Sequence, residues 1–208
     1  TSKPITTPIN VISELNSGIC LTTIHEEFSI SSKFLPSLIE INSFNYNSSE
    51  LEFIENVKKG IDFGFLSNVI ICGAPSSGKT TLAVKLITSL SNNFKLRYLD
   101  LKLNHNLADI KKDIKTHVNF PTVLLIDNAH LDYSIACNIY KTCQLYPNIN
   151  LVFGFRELSE NDKIDSQTGI DLFSEADKIF FVNPNQNNDE KIYTLINQKI
   201  ERHNHWKI

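Results

Sequence analysis

The sequence predicts an α/β fold: a five-stranded parallel sheet with helices on both faces, preceded by a small N-terminal extension. Three observations carry this. From Asn68 onward, short apolar runs bounded by turn residues alternate with segments of helical periodicity. A glycine-rich turn, Gly73-Ala-Pro-Ser-Ser-Gly78, joins the first run to the first helix. Two later runs meet a charged residue at their carboxyl ends, Asp127 and Arg156.

Composition sets the frame. The chain has 208 residues, 41% hydrophobic and 21% charged, which suits one globular domain with a small appendage. A core of that size needs no disulfides. The net charge of −3 gives no basic footprint for a nucleic-acid partner. Cys20, Cys72, Cys137 and Cys143 form no CxxC pair and are expected as reduced thiols rather than a zinc site. No apolar run reaches about 18 residues, and no signal-peptide pattern opens the chain, so the expected setting is the cytoplasm, or the nucleus of a eukaryote, away from membranes. The chain starts at Thr1 and lacks methionine, so a portion of a longer product is expected.

Residues 1–60 form the expected extension or docking segment, and 61–208 the main domain. Thr7-Pro8 followed by Ile9, Val11, Ile12, Leu15 and then Gly18 predicts a short helix with Thr7 as cap. Residues 19–30 fit strand or helix, and the Ser- and Asn-rich stretch 31–47 a loop. His25, Glu26 and Glu27 are expected to be a solvated charge cluster. Ser48-Ser49-Glu50 opens a helix carrying Leu51, Phe53, Ile54, Val57 and Ile61, punctuated by Gly60 and Gly64.

The strands follow: 68–72, then a helix over 79–91; 96–101, then a polar helix over 107–117 whose Lys111, Lys112 and Lys115 form a solvated face; 122–127, then a helix over 133–145; 150–155; and 178–182. A last amphipathic helix is expected over 187–202, with His203 and His205 at its end.

The turn after the first strand completes Gly73-x-x-x-x-Gly78-Lys79-Thr80, a phosphate-binding loop (P-loop, Walker A) in its strand-to-helix context. Glycine at 73 and 78 lets the backbone approach a ligand. The N–H groups across Ala74, Pro75, Ser76, Ser77, Gly78, Lys79, Thr80 and Thr81 (Pro75 has none) and the helix N-terminus favour an anion. Lys79 is placed to reach the terminal phosphates of ATP or ADP, and the Thr80 hydroxyl to ligate Mg²⁺. Val123-Leu-Leu-Ile-Asp127 is a Walker B strand, whose carboxylate would hold that Mg²⁺ beside Thr80.

Asn128 stands where many ATPases carry a second acid. An amide positions water but cannot accept its proton, so either hydrolysis is slow or another acid substitutes, with Glu157 a candidate. His130 shares this edge and either senses the γ-phosphate or only packs there. Arg156 can stabilise γ-phosphate charge or pair with Glu157, Glu160 or Asp162. The expected catalytic set is therefore Lys79, Asp127, Asn128 and Arg156.

The run Ile126-Asp-Asn-Ala-His-Leu131, a helix, and then Pro147-Asn-Ile-Asn-Leu-Val-Phe-Gly-Phe-Arg156 resembles the STAND class of signal-transduction ATPases, relatives of the AAA+ ATPases. Asp127, His130 and Arg156 match that pattern; Asn128 and Gly154-Phe155 depart from it. The resemblance covers roughly residues 65–200 and implies a P-loop NTPase domain that keeps ADP at rest and exchanges it for ATP to oligomerise through the nucleotide face. Two alternatives share the pocket: an AAA+ ATPase acting on DNA, such as a replication initiator or helicase loader, and a non-catalytic subunit holding ATP. Only Arg97, Arg156 and Arg202 occur in the chain, fewer than the arginine-rich lid of a small-molecule kinase requires.

Overall fold

The computed structural model describes residues 7–14, 18–23, 46–102, 106–156 and 164–182. The expected helix over 187–202, Glu157, the His25 cluster, and His203 and His205 lie outside them. The elements are β1 (Thr7–Glu14), β2 (Gly18–Thr23), α1 (Ser48–Asp62), β3 (Asn68–Gly73), α2 (Lys79–Ser89), β4 (Lys95–Asp100), α3 (Leu107–Lys115), β5 (Thr122–Asp127), α4 (Tyr133–Cys143), β6 (Ile149–Phe155), α5 (Leu172–Glu175) and β7 (Lys178–Val182). A one-turn 3-10 helix, Ala129–Leu131, links β5 to α4.

All strands join one sheet in the order β2-β1-β4-β5-β6-β3-β7. The five strands expected from the sequence, β3 to β7, are parallel. Crossovers through helices bring their carboxyl ends to one edge, and β6 lies between β3, which leads into the glycine-rich turn, and β5, which ends in Asp127.

The first segment corrects the sequence reading. Residues 7–14 are not a helix but a strand, paired antiparallel with β2 and, through Thr7–Ile9, with β4. Ile9, Val11 and Ile12 are β-branched and suit an extended backbone. Pro8 fits the start of a strand as well as the first turn of a helix. The outer side of β4 also offers unpaired backbone groups, which an added strand satisfies. Among the described residues, the five expected parallel strands are thus joined in one sheet by two antiparallel ones.

Local chemistry explains the helix starts. Asn47 and Glu50 form a reciprocal capping box on α1: Glu50 N–H donates to Asn47 Oδ1 at 2.9 Å and Asn47 N–H to Glu50 Oε2 at 2.8 Å. Asn106 and Asp132 cap α3 and α4. Gly64, with φ 72°, makes the left-handed turn after α1.

Two apolar layers sandwich the sheet. On one face, Phe53, Ile54, Val57 and Ile61 of α1 and Leu82, Leu86 and Ile87 of α2 pack against Val69, Ile71, Tyr98, Val123, Leu125 and Val152. On the other, Ile110 and Ile114 of α3 and Ala136, Cys137, Ile139 and Tyr140 of α4 cover Ile70, Leu99, Leu124, Ile126, Phe153 and Phe155. Each large apolar side chain so buried contributes about 1.5–3 kcal/mol. Among the described residues, Cys72, Cys137 and Cys143 are buried thiols outside any disulfide. No helix among the described residues is long and apolar enough to cross a membrane.

Phe53 ties α1 to the sheet margin. It is 3% exposed, and its ring stacks on Phe180 of β7 at 4.4 Å. Phe53→Ala is expected to lower unfolding free energy by about 3–5 kcal/mol in a denaturant titration. Phe65→Ala, at a position 80% exposed, is expected to change it by no more than about 0.5 kcal/mol.

Candidate functional site

The site lies where the glycine-rich turn passes over the carboxyl edge of the sheet. Gly73 closes β3 in tight quarters: a Cβ there would come 2.8 Å from the Val182 carbonyl and 2.9 Å from Ser77 Oγ. Ala74, Pro75 and Ser76 are exposed, and Ser76 and Gly78 take positive φ, 60° and 92°. Gly78 starts α2 without a side-chain cap, so the first-turn N–H groups keep their donors for something else. Ser77 Oγ is buried and has no hydrogen-bond partner among the described residues. A turn with an uncapped helix start and an orphaned buried hydroxyl fits a bound phosphate chain.

Lys79, the first residue of α2, donates from Nζ to the Ala74 carbonyl at 2.6 Å. Burial draws its ammonium below the usual lysine range, opposed by the charge of Asp127. Thr80 Oγ1 donates to Asp127 Oδ2 at 2.8 Å. The structure thus brings Lys79, Thr80 and Asp127 together as the sequence predicts, while Thr81 is half-buried one position further along α2.

Asp127 is 4% exposed. Burial raises its carboxyl above the ordinary aspartate range, against the Thr80 hydroxyl and the Asn128 N–H, which donates to Oδ1 at 2.8 Å. The neighbouring strand must make room: a Cβ on Gly154 of β6 would sit 2.6 Å from Asp127 Oδ1. The glycine that departs from the STAND pattern is therefore required by the position of this carboxylate.

Asn128 adopts a left-handed backbone, φ 56° and ψ 31°, which asparagine tolerates better than most residues. Its side-chain Nδ2 donates to Asp100 Oδ1 at 2.8 Å. Asp100 was not singled out from the sequence. It ends β4 in register with Asp127, is 6% exposed, and also accepts from the Lys102 N–H at 2.9 Å. A signal was available, since Lys95-Leu-Arg-Tyr-Leu-Asp100, like β5, is a strand that ends in an acid. Tyr98 lies below the pair; burial and then the charge of Asp127 push its phenol well above the tyrosine range.

His130 and Arg156 meet at the end of β6. The Arg156 backbone N–H donates to His130 Nδ1 at 3.4 Å. With Nδ1 accepting, the neutral ring carries its proton on Nε2, which is buried without a hydrogen-bond partner among the described residues. Burial, then the positive charges of Arg156, Lys79 and Lys102, push His130 down to about 4. The Arg156 side chain is exposed.

No protein-family model and no curated protein matches this sequence. Solved structures share its architecture. The structure of C. elegans PCH-2 is similar at a TM-score of 0.56 and 16% identity, over 77% of this chain and 48% of that one. Thermotoga maritima RuvB, a Holliday junction branch migration motor, is similar at a TM-score of 0.49 and 17% identity, over 66% of this chain and 45% of that one. The fold is that of the P-loop NTPases. The chain spans about half the length of the structures it resembles.

Two outcomes follow from this geometry. Because folding depresses His130, the unfolded chain binds its proton first as pH falls; stability attributable to His130 is complete above about 6.5 and declines toward about 4. An NMR titration should show the His130 imidazole neutral at pH 6, and Arg156→Ala should move its midpoint upward. Gly154→Ala is expected to displace the Asp127 carboxylate and lower unfolding free energy by about 1–3 kcal/mol, read by chemical denaturation.

Proposed function

We propose that this chain is an ATP-binding switch domain of the STAND type, among the AAA+-related ATPases, which hydrolyses ATP slowly and couples nucleotide state to assembly or signalling. One observation carries the reading: the Thr80 hydroxyl bonds to the Asp127 carboxylate at 2.8 Å beneath an uncapped helix start. Hydroxyl, carboxylate and anion nest are the parts a magnesium nucleotide requires, and here they converge.

In this reading, residues 73–81 wrap the phosphate chain with backbone N–H groups. Lys79 leaves the Ala74 carbonyl for the β- and γ-phosphates. Thr80 and Asp127 are the residues that would hold Mg²⁺, which when bound neutralises phosphate charge. His130 presents a neutral Nε2–H donor, and Arg156 a cation, toward the terminal phosphate. Those two contacts exist with ATP and not with ADP, and such a difference is what a switch needs. Asn128 holds water without accepting its proton, consistent with slow turnover. The exposed Arg156 side chain suits assembly through the nucleotide face. Buried thiols outside any disulfide at Cys72, Cys137 and Cys143 accord with a cytoplasmic or nuclear setting.

The amide at Asn128 also favours a second reading, a subunit that holds ATP without cleaving it. A motor acting on DNA would use the same pocket, but the net charge of −3 offers little to a polyanion.

Isothermal calorimetry tests nucleotide binding. The wild-type chain is expected to bind both Mg-ATP and Mg-ADP, and Lys79→Ala to weaken Mg-ATP by about 10- to 100-fold, the loss of a charge-assisted contact. A wild-type titration without heat or competition by either nucleotide would sink the reading.

A further inference from the structure

The site as proposed leaves the proton of the attacking water without an acceptor, since Asn128 occupies the position next to Asp127. Another carboxylate stands close by. Asp100 and Asp127 are register partners on adjacent parallel strands, so their side chains leave the same face of the sheet at its carboxyl edge, on strands about 4.8 Å apart. Both are buried, at 6% and 4% exposure. Asn128 bonds to both carboxylates: its backbone N–H goes to Asp127 Oδ1 and its side-chain Nδ2 to Asp100 Oδ1, each at 2.8 Å. With Nδ2 given to Asp100, the amide oxygen of Asn128 serves as a water acceptor next to a carboxylate. The backbone at 128 also restricts what can stand there. Its φ of 56° suits Asn or Asp, whereas a longer acid is disfavoured in this left-handed backbone.

We propose that Asp100, resting on the nucleotide reading above, is the catalytic base of this site, and that Asn128 holds the attacking water against it. The water oxygen bonds to the γ-phosphorus. The bond from that phosphorus to the bridging oxygen breaks, and its electron pair leaves on the β-phosphate of ADP. The water proton passes to the Asp100 carboxylate, and inorganic phosphate departs. Base and metal ligand thus come from two strands rather than from successive residues of one. The simpler role for Asp100 is to cap the turn after β4 through its bond from the Lys102 N–H. Asn at 100 can keep that acceptor oxygen, while it removes the negative charge and the ability to take a proton.

The test is single-turnover cleavage of Mg-ATP by the whole chain, with nucleotide affinity from calorimetry and melting temperature on the same preparations. Asp100→Asn is expected to bind Mg-ATP within about threefold of wild type and to cleave it at least about 100-fold more slowly, the usual worth of a general base. The exchanged pair Asp100→Asn with Asn128→Asp is expected to regain at least tenfold over Asp100→Asn, because the acid returns to the other side of the same bond. Asp100→Asn cleaving within threefold of wild type would overturn the proposal while leaving nucleotide binding intact. So would a wild-type chain that binds Mg-ATP and never cleaves it, or a rate loss in Asp100→Asn matched by a fall in melting temperature that the exchanged pair does not repair. A wild-type chain that binds no nucleotide would remove the nucleotide reading first and this one with it.

Discussion

The bond from Thr80 to Asp127 is the constraint on which the rest of this architecture depends. It joins the first turn of α2 to the end of β5, although the loop leading into α2 springs from β3 and β6 lies between. For hydroxyl and carboxylate to meet, β6 must present almost nothing at the crossing. Gly154 meets that demand: any β-carbon there would collide with Asp127 Oδ1. The sheet order, one glycine and one hydrogen bond are three views of one geometric requirement. The packing of α2 through Leu82, Leu86 and Ile87 on Val69, Ile71, Val123 and Val152 holds the helix at the matching height.

Much of this was legible in the sequence because the elements concerned are locally consistent. β3, β5, β6 and β7 are short apolar runs bounded by turn residues, and α2 and α4 carry regular apolar spacing; each assignment held to within a few residues. Lys79, Thr80 and Asp127 could be placed together because glycine spacing and a buried strand with a terminal acid each need little context. The strand at residues 7–14 was misread because its apolar positions fit two periods at once. What decides between them is the open edge of β4, a partner distant in sequence. Asp100 was passed over for a similar reason: its pattern is common on any strand, and only register with Asp127 and the bond from Asn128 make it part of the site. Gly154 could be seen as a departure from a family pattern, but its reason is a distance between strands that no local reading contains.

The electrostatics of the edge divide by sign. Asp100 and Asp127 sit side by side on β4 and β5, with the charge of Lys79 acting on Asp127, while Arg156, Lys79 and Lys102 act on His130. Burial, and then the neighbouring positive charges, keep His130 neutral, so the imidazole contributes a donor rather than another charge. Its tautomer is set by the Arg156 backbone N–H, which places the remaining N–H on Nε2. Asparagine at 128 adds no third negative charge where two already repel, yet it bonds to both carboxylates and keeps them apart.

Burial of Asp127 works against the unliganded fold. Its carboxyl is raised mainly by desolvation, so the folded chain takes up the proton more readily than the unfolded one. Below an ordinary aspartate value of about 4 both states are protonated and no penalty arises; the penalty accumulates as pH rises from there toward the raised folded value and is complete above it. A cation meeting this carboxylate from the open edge would relieve that penalty, because it supplies the counter-charge that burial withholds. Anything that binds the folded state and not the unfolded one stabilises it in proportion to the logarithm of its concentration over its dissociation constant. The penalty of burying this carboxylate and the gain when a cation meets it thus have the same source, a carboxylate placed where water is scarce.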